Sequence, residues 1–170
     1  APAFVDASAD LNDAAKRIVQ SKSFDNSVLC TNESVVVADE NIADALQQAL
    51  ARAGAYVAKP DEVDALRNYL FGLGSFNIDA LGKSAVEIAS RVGLKVPAST
   101  KVLLAPIDRV GIDEALSKEK LCPVLGFVRV PHVHAGISTA RALIRMSGAG
   151  HSAAIHSSNP ATILAYEIGR

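Results

Sequence analysis

The stretch CPVLGFVRV, residues 122–130, decides how this chain folds. Almost every position in it is apolar, with no alternation to separate a wet face from a dry one. A run of that length and pattern reads as a strand buried on both faces, the kind that lies inside a parallel sheet. KVLLAPI, residues 101–107, reads the same way, and SVVVAD, residues 34–39, is a β-branched run short enough for a third buried strand. Shorter strands are expected at PAFVD (2–6) and SAAIHS (152–157).

Helical patterns fill the spaces between these runs. From Asp10, a plausible N-cap, LNDAAKRIVQ puts Leu11, Ala14, Ala15, Ile18 and Val19 on one face. The spacing predicts a helix over 41–54 closed by Gly54, another opened by Pro60 and running over 60–71, and a third over 84–93. Two more are expected over 132–148, stopped by glycine, and over 159–170. Strand alternating with helix implies an α/β fold, a three-layer arrangement in which a mostly parallel sheet is flanked by helices. No repeat, low-complexity tract or Pro/Gly/Ser-rich linker interrupts the pattern, so residues 1–170 are expected to form one domain.

Composition narrows the function. The 170 residues are 49% hydrophobic and 21% charged, which belongs to globular and not disordered chains. Lys and Arg number 17 against 18 Asp and Glu, and aromatics are 5% with no Trp. That balance argues against nucleic acid or an anionic membrane as the partner, and against a base-stacking platform. Cys30 and Cys122 are far apart in a chain too large to need stapling, which fits a reducing compartment. The opening APAFVDASADL has no basic region of the signal-peptide type, and no apolar run approaches the ~18 residues that span a bilayer. A soluble, cytoplasmic protein is expected. No strand leads into G-x-G-x-x-G, and no G-x-x-x-x-G-K-[ST] occurs, so the chain shows no self-contained cradle for nucleotide phosphates.

Three residues could carry chemistry. Cys30 follows SKSFDNSVL at a helix-to-strand junction, where a side chain can reach a cleft at a strand end. A cysteine nucleophile acts as the thiolate, although a free cysteine is more often a small buried hydrophobe. His151, in GAGHSAAIHS, follows a glycine-rich turn whose small neighbours leave an imidazole accessible as a general base. Glu119, in SKEKLCP, is by composition one solvated carboxylate among several charges. His156 reads as a sheet residue and Cys122 as packing. His132 and His134 form H-x-H but have no acidic or cysteine partner at ligand spacing, so no metal is expected.

SKSFDNSVLC, EKLCP and GAGHS occur in this order, with about 90 residues from Cys30 to Glu119 and 32 more to His151. The set resembles the catalytic half of the aldehyde dehydrogenase superfamily, and most closely its CoA-acylating branch. There S-K-[ST]-F-D-N-x-x-x-C carries the nucleophile, E-K-L-x-P matches residues 119–123, and G-x-G-H-[ST] matches residues 148–152. The resemblance extends over nearly the whole chain. It implies that the Cys30 thiolate attacks an aldehyde, that hydride passes from the thiohemiacetal to NAD or NADP, and that CoA then takes the acyl group from a Cys30 thioester. It implies His151 as the general base, and Glu119 as the carboxylate that hydrogen-bonds the cofactor's ribose. The backbone N–H of Cys30 would supply one donor to the oxyanion.

Family members are much longer than this chain, so the resemblance implies a catalytic half whose nucleotide-binding half lies elsewhere, inactive alone and homo-oligomeric in the full-length protein. The partners implied are CoA and a small aldehyde: acetaldehyde by default, with propionaldehyde, sulfoacetaldehyde or succinate semialdehyde handled by relatives. A hydrolytic, CoA-independent aldehyde dehydrogenase, a stand-alone Cys–His thioester hydrolase and a non-enzymatic module with Cys30 buried are the alternatives.

Overall fold

A computed structural model describes residues 1–148 and 150–169. Ala149, inside the GAGHS motif, and Arg170, at the end of the last expected helix, lie outside the described residues. In chain order the elements are β1 (Pro2–Val5), α1 (Leu11–Ser23), β2 (Val35–Asp39), α2 (Ala43–Ala53), β3 (Ala55–Val57), α3 (Pro60–Phe71), α4 (Ala85–Arg91), β4 (Val102–Pro106), β5 (Val124–Val130), α5 (Val133–Ser147), β6 (Ala154–His156) and α6 (Pro160–Gly169). Short 3₁₀ turns lie at Phe24–Ser27, Ile78–Ala80 and Ala115–Ser117.

The strands make one sheet in the order β3-β4-β5-β2-β1-β6, and every neighbouring pair is parallel. β2 is central, with Val35 facing Pro2 of β1 on one side and Gly126 of β5 on the other. Its period of two sends Val35 and Val37 to one face and Val36 and Ala38 to the other. The first face packs with Phe4, Leu103 and Val128 under Leu66 of α3, Ile88 of α4, Ile137 of α5 and Tyr166 of α6. The second packs with Val5, Leu104 and Phe127 under Ile18 of α1 and Leu46 of α2. Helices on both faces of a parallel sheet give the three layers expected, and explain why β4 and β5 read as unbroken apolar runs.

Local chemistry sets the ends of the helices. Asp10 accepts from the Asp13 N–H at 3.0 Å to start α1, and Ser84 and Glu87 close a capping box on α4. Gly54 ends α2 at φ 117°, a left-handed position that a side chain would strain. His132 starts α5, its Nδ1 accepting from the Ala135 N–H at 3.1 Å, so one nitrogen of the H-x-H pair serves as a cap. Gly136 brings α5 down onto β1, since a Cβ there would overlap the ring of Phe4.

Two features depart from the sequence pattern. β3 is only Ala-Tyr-Val, placed directly after the Gly54 cap, and three residues carry too little periodicity to register. The helix before Cys30 also ends early. α1 stops at Ser23, and residues 24–34 reach β2 through a turn and an irregular loop.

Candidate active site

The loops that enter β2, β5 and β6 all lie at the amino end of the sheet. They carry Cys30, Glu119 and His151 respectively. Cys30 is exposed, whereas Cys122 is fully buried and its thiol is pushed up by burial, so only Cys30 is placed to act as a nucleophile.

A left-handed turn aims the cysteine loop. Asp25, Asn26 and Ser27 hold φ of 48°, 49° and 64°, a run of conformations that short polar side chains tolerate better than others. The Asn26 amide donates to the Gly82 carbonyl at 3.0 Å, tying the turn to the segment before α4. Asn32 then donates across the loop to the Phe24 carbonyl at 3.2 Å, closing residues 24–32 into a braced arch with Cys30 on its outer side. Cys30 is thus carried on a loop that follows this turn and not on the end of a helix.

Cys30 and Thr31 form one wall of a cleft of about 280 Å³. The other wall is Ser147, Gly148, Gly150, His151 and Ser152, from the end of α5 and the loop into β6. The structure therefore brings Cys30 and His151 to one cavity from positions 121 residues apart in the chain. Glu119 joins them from behind. Its Oε1 lies 3.7 Å from His151 Nε2, and that oxygen is buried with no hydrogen-bond partner. The solvated carboxylate suggested by composition is thus half-sequestered beside the histidine. His156, in β6, lines separate hollows and is not part of the cleft.

Beneath the cleft lie two lysines whose burial the sequence pattern did not signal as functional. Lys22, in the last turn of α1, is 1% exposed and donates to the Lys120 carbonyl at 3.1 Å. Lys120 is equally buried, and its Nζ donates to the Leu116 and Lys118 carbonyls at 2.6 and 2.9 Å and to Ser34 Oγ at 3.1 Å. Ser34 in turn donates to the Lys118 carbonyl and accepts from the Lys120 N–H. The residues flanking Glu119 are thereby laced to the residue that precedes β2. Burial draws both amines down, Lys22 to about 8 and Lys120 well below its ordinary value, while Glu119 is one of the charges that opposes this for each. A signal for Lys22 existed: it extends the stripe Ile18–Val19 by one helical step, so it had to face the core. Arg109 is exposed and paired with Asp113 at 2.5 Å, and Lys118 sits 5.8 Å over the Phe71 ring, so neither lines the cleft.

Comparison with known proteins shows what the chain is similar to. No family model matches the chain. Aldehyde-alcohol dehydrogenase 2 of Entamoeba histolytica is 32% identical over 176 residues, 98% of this chain and 20% of its own length. The acetylating succinate-semialdehyde dehydrogenase of Clostridium kluyveri is 36% identical over 160 residues, 94% of this chain and 35% of its own. An acetylating aldehyde dehydrogenase from Geobacillus thermoglucosidasius superposes with a TM-score of 0.94 at 32% identity, over 98% of this chain and 37% of that one. A propionaldehyde dehydrogenase from Rhodopseudomonas palustris, with bound CoA and an acylated cysteine, matches at 0.88 and 30%, over 98% of this chain and 38% of that one. An engineered glycolyl-CoA reductase with bound NADP+ matches at 0.87 and 32%, over 98% and 37%. The chain spans between about a fifth and about a third of the length of the curated relatives it matches.

Proposed function

We propose that this chain, which is similar over nearly its whole length to acylating aldehyde dehydrogenases, is the catalytic half of an enzyme that oxidises a small aldehyde to acyl-CoA. One observation carries the reading: Cys30 and His151, from distant parts of the chain, wall a single cleft that Glu119 backs at 3.7 Å. Solved structures similar to this chain hold CoA, an acylated cysteine or NADP+, which supports the reading.

Cys30 Sγ is the nucleophile, and the exposed rim of the arch gives an aldehyde carbonyl access to it. The adduct is a thiohemiacetal, and its oxidation leaves a thioester on Cys30. A thiolate suits both halves of this chemistry because it attacks well and leaves well. NAD(P)+, when bound, supplies the acceptor for the hydride. Glu119 fits its ribose, since the carboxylate has a buried oxygen still without a hydrogen-bond donor. His151 removes the proton from the CoA thiol so that its sulfur can take the acyl group. The cleft's described lining is Thr31, serines and glycines around the two reactive side chains, which suits a small uncharged aldehyde such as acetaldehyde or propionaldehyde. A second protein half would supply the dinucleotide cradle, and a reducing, cytoplasmic setting accords with two free thiols.

The test uses the full-length protein under reducing conditions, following nicotinamide reduction with acetaldehyde, propionaldehyde and sulfoacetaldehyde, each with and without CoA. Reduction that requires CoA is expected. Steady turnover to free acid without CoA would place the protein among hydrolytic dehydrogenases and remove the role given to His151.

A further inference from the structure

The geometry points to a role for Glu119 in acyl transfer itself: we propose that it is the positioning partner of His151, holding the imidazole with its proton on Nε2 so that Nδ1 is the base for the CoA thiol. This rests on the reading of Cys30 and His151 above, and extends it to a step in which no nicotinamide takes part.

Three observations converge. The Glu119 oxygen nearest His151 is buried and has no hydrogen-bond donor, which is costly for a carboxylate unless a donor arrives during the reaction. The separation of 3.7 Å is that of an ion pair and not yet a hydrogen bond, so a movement of less than about 1 Å closes it. The carboxylate is also held from behind, because the carbonyls on either side of it, of Lys118 and Lys120, accept from the buried Lys120 and Lys22 amines. His151 has little freedom of its own, since its side chain is only 19% exposed. Among the described residues, the charged and titratable groups around the pair are Cys30 across the cleft, Lys22 from α1, Lys120 beside Glu119 and the Ala1 amino group ahead of β1.

A carboxylate on one imidazole nitrogen fixes which nitrogen keeps the proton and steadies the cation that forms when the other accepts one. The transfer step then balances as follows. The CoA thiol gives its proton to His151 Nδ1, and its sulfur forms a bond to the acyl carbon. The bond from that carbon to Cys30 Sγ breaks, and Cys30 leaves as the thiolate. The imidazolium, paired with Glu119, returns its extra proton to water. Nothing is oxidised or reduced, so the step runs without nicotinamide.

The experiment exploits that independence. Full-length protein, free of nucleotide, is given acetyl-CoA and isotopically labelled CoA, and exchange of label between them reports acyl transfer through Cys30 in both directions. Glu119→Gln, which keeps the size and the hydrogen-bonding capacity but not the charge, should slow exchange about 10- to 100-fold, whereas Glu119→Asp should recover most of the rate. His151→Gln should slow it more, and adding Glu119→Gln to His151→Gln should cost almost nothing further, since two residues acting as a unit are not additive. Wild-type exchange in Glu119→Gln, with a raised KM for the nucleotide, would overturn the proposal and leave Glu119 to the cofactor alone. Full additivity in the double variant would overturn it as well. Unchanged exchange in His151→Gln would instead sink the assignment of His151 as base, and the pairing with it.

Discussion

Replacing Lys22 by methionine should change the stability of this chain by an amount that depends on pH. Lys22 is 1% exposed, and burial draws its amine from 10.5 to about 8. At about 1.4 kcal/mol per pH unit, keeping that ammonium charged in the fold costs about 3 kcal/mol at neutral pH. Because the folded value lies below the unfolded one, the unfolded chain binds more protons between about 8 and 10.5. Stability therefore rises with pH through that window: the cost is full below 8 and gone above 10.5. Methionine fills similar space without the charge, but it leaves the Lys120 carbonyl without its donor, a loss of about 1–3 kcal/mol that is the same at every pH. Near pH 7 the two effects nearly cancel. Near pH 11 only the loss remains, so the variant should fall behind the wild type by about 3 kcal/mol more than it does near pH 7. Urea unfolding of both proteins, followed by far-UV circular dichroism at the two pH values, measures this directly. A stability difference that stays constant, or that moves in the variant's favour as pH rises, would refute the assignment of a buried, depressed amine.

The other expected outcomes follow from the cleft and from the core. Cys30→Ala in the full-length protein should abolish acyl-enzyme formation, seen as loss of the mass increment after acetyl-CoA is added; a retained increment would move the nucleophile elsewhere. His151→Ala should slow CoA-dependent turnover by about 10²–10⁴-fold, measured as kcat/KM for CoA. Gly136→Ala gains about 1 kcal/mol of helix propensity but drives a Cβ into the buried Phe4 ring, an overpacking cost of about 1–3 kcal/mol. Net destabilisation in urea is expected there, and Phe4→Leu in the same chain should recover part of it.

How much of this could be read from sequence divides along physical lines. β4 and β5 were legible because burial on both faces erases alternation, and α3 because Pro60 and the 3.6-residue period agree. β3 was not, since it is too short to show a period. The site residues Cys30, Glu119 and His151 came from an ordered set of short motifs, whereas their convergence on one cleft is a product of topology. β5, β2, β1 and β6 are neighbours in the sheet although they are scattered along the chain. The turn at Phe24–Ser27 and the burial of Lys120 needed coordinates, because the same letters suit an exposed loop equally well, whereas the burial of Lys22 was marked by the Ile18–Val19 stripe that it continues.

The end of the sheet at which the site lies gives those lysines a reason. Ligand crevices in open parallel sheets lie at the carboxyl ends of the strands, where helix amino termini provide positive potential. Here two carboxylates at the carboxyl end are internally satisfied: Asp6 accepts from Ser8 and Ser157, and Asp39 accepts from Asn41. Cys30, Glu119 and His151 occupy the amino end, toward which α1 and α5 point their negative carboxyl termini. Glu119 adds a further negative charge to that end, which calls for positive charge that the Ala1 amino group and Lys120 bring only in part. Lys22, in the last turn of α1, is placed to supply it, and its buried charge acts on Glu119. A lysine that adds almost nothing to stability at neutral pH is then retained for the site. Lys22→Met in the full-length protein should accordingly fold as well as wild type near pH 7 yet lose at least about tenfold in CoA-dependent turnover, the scale of one displaced charge near a reacting group. Wild-type turnover in that variant would show that the amine serves packing alone, and that the helix termini impose no charge deficit on the cleft.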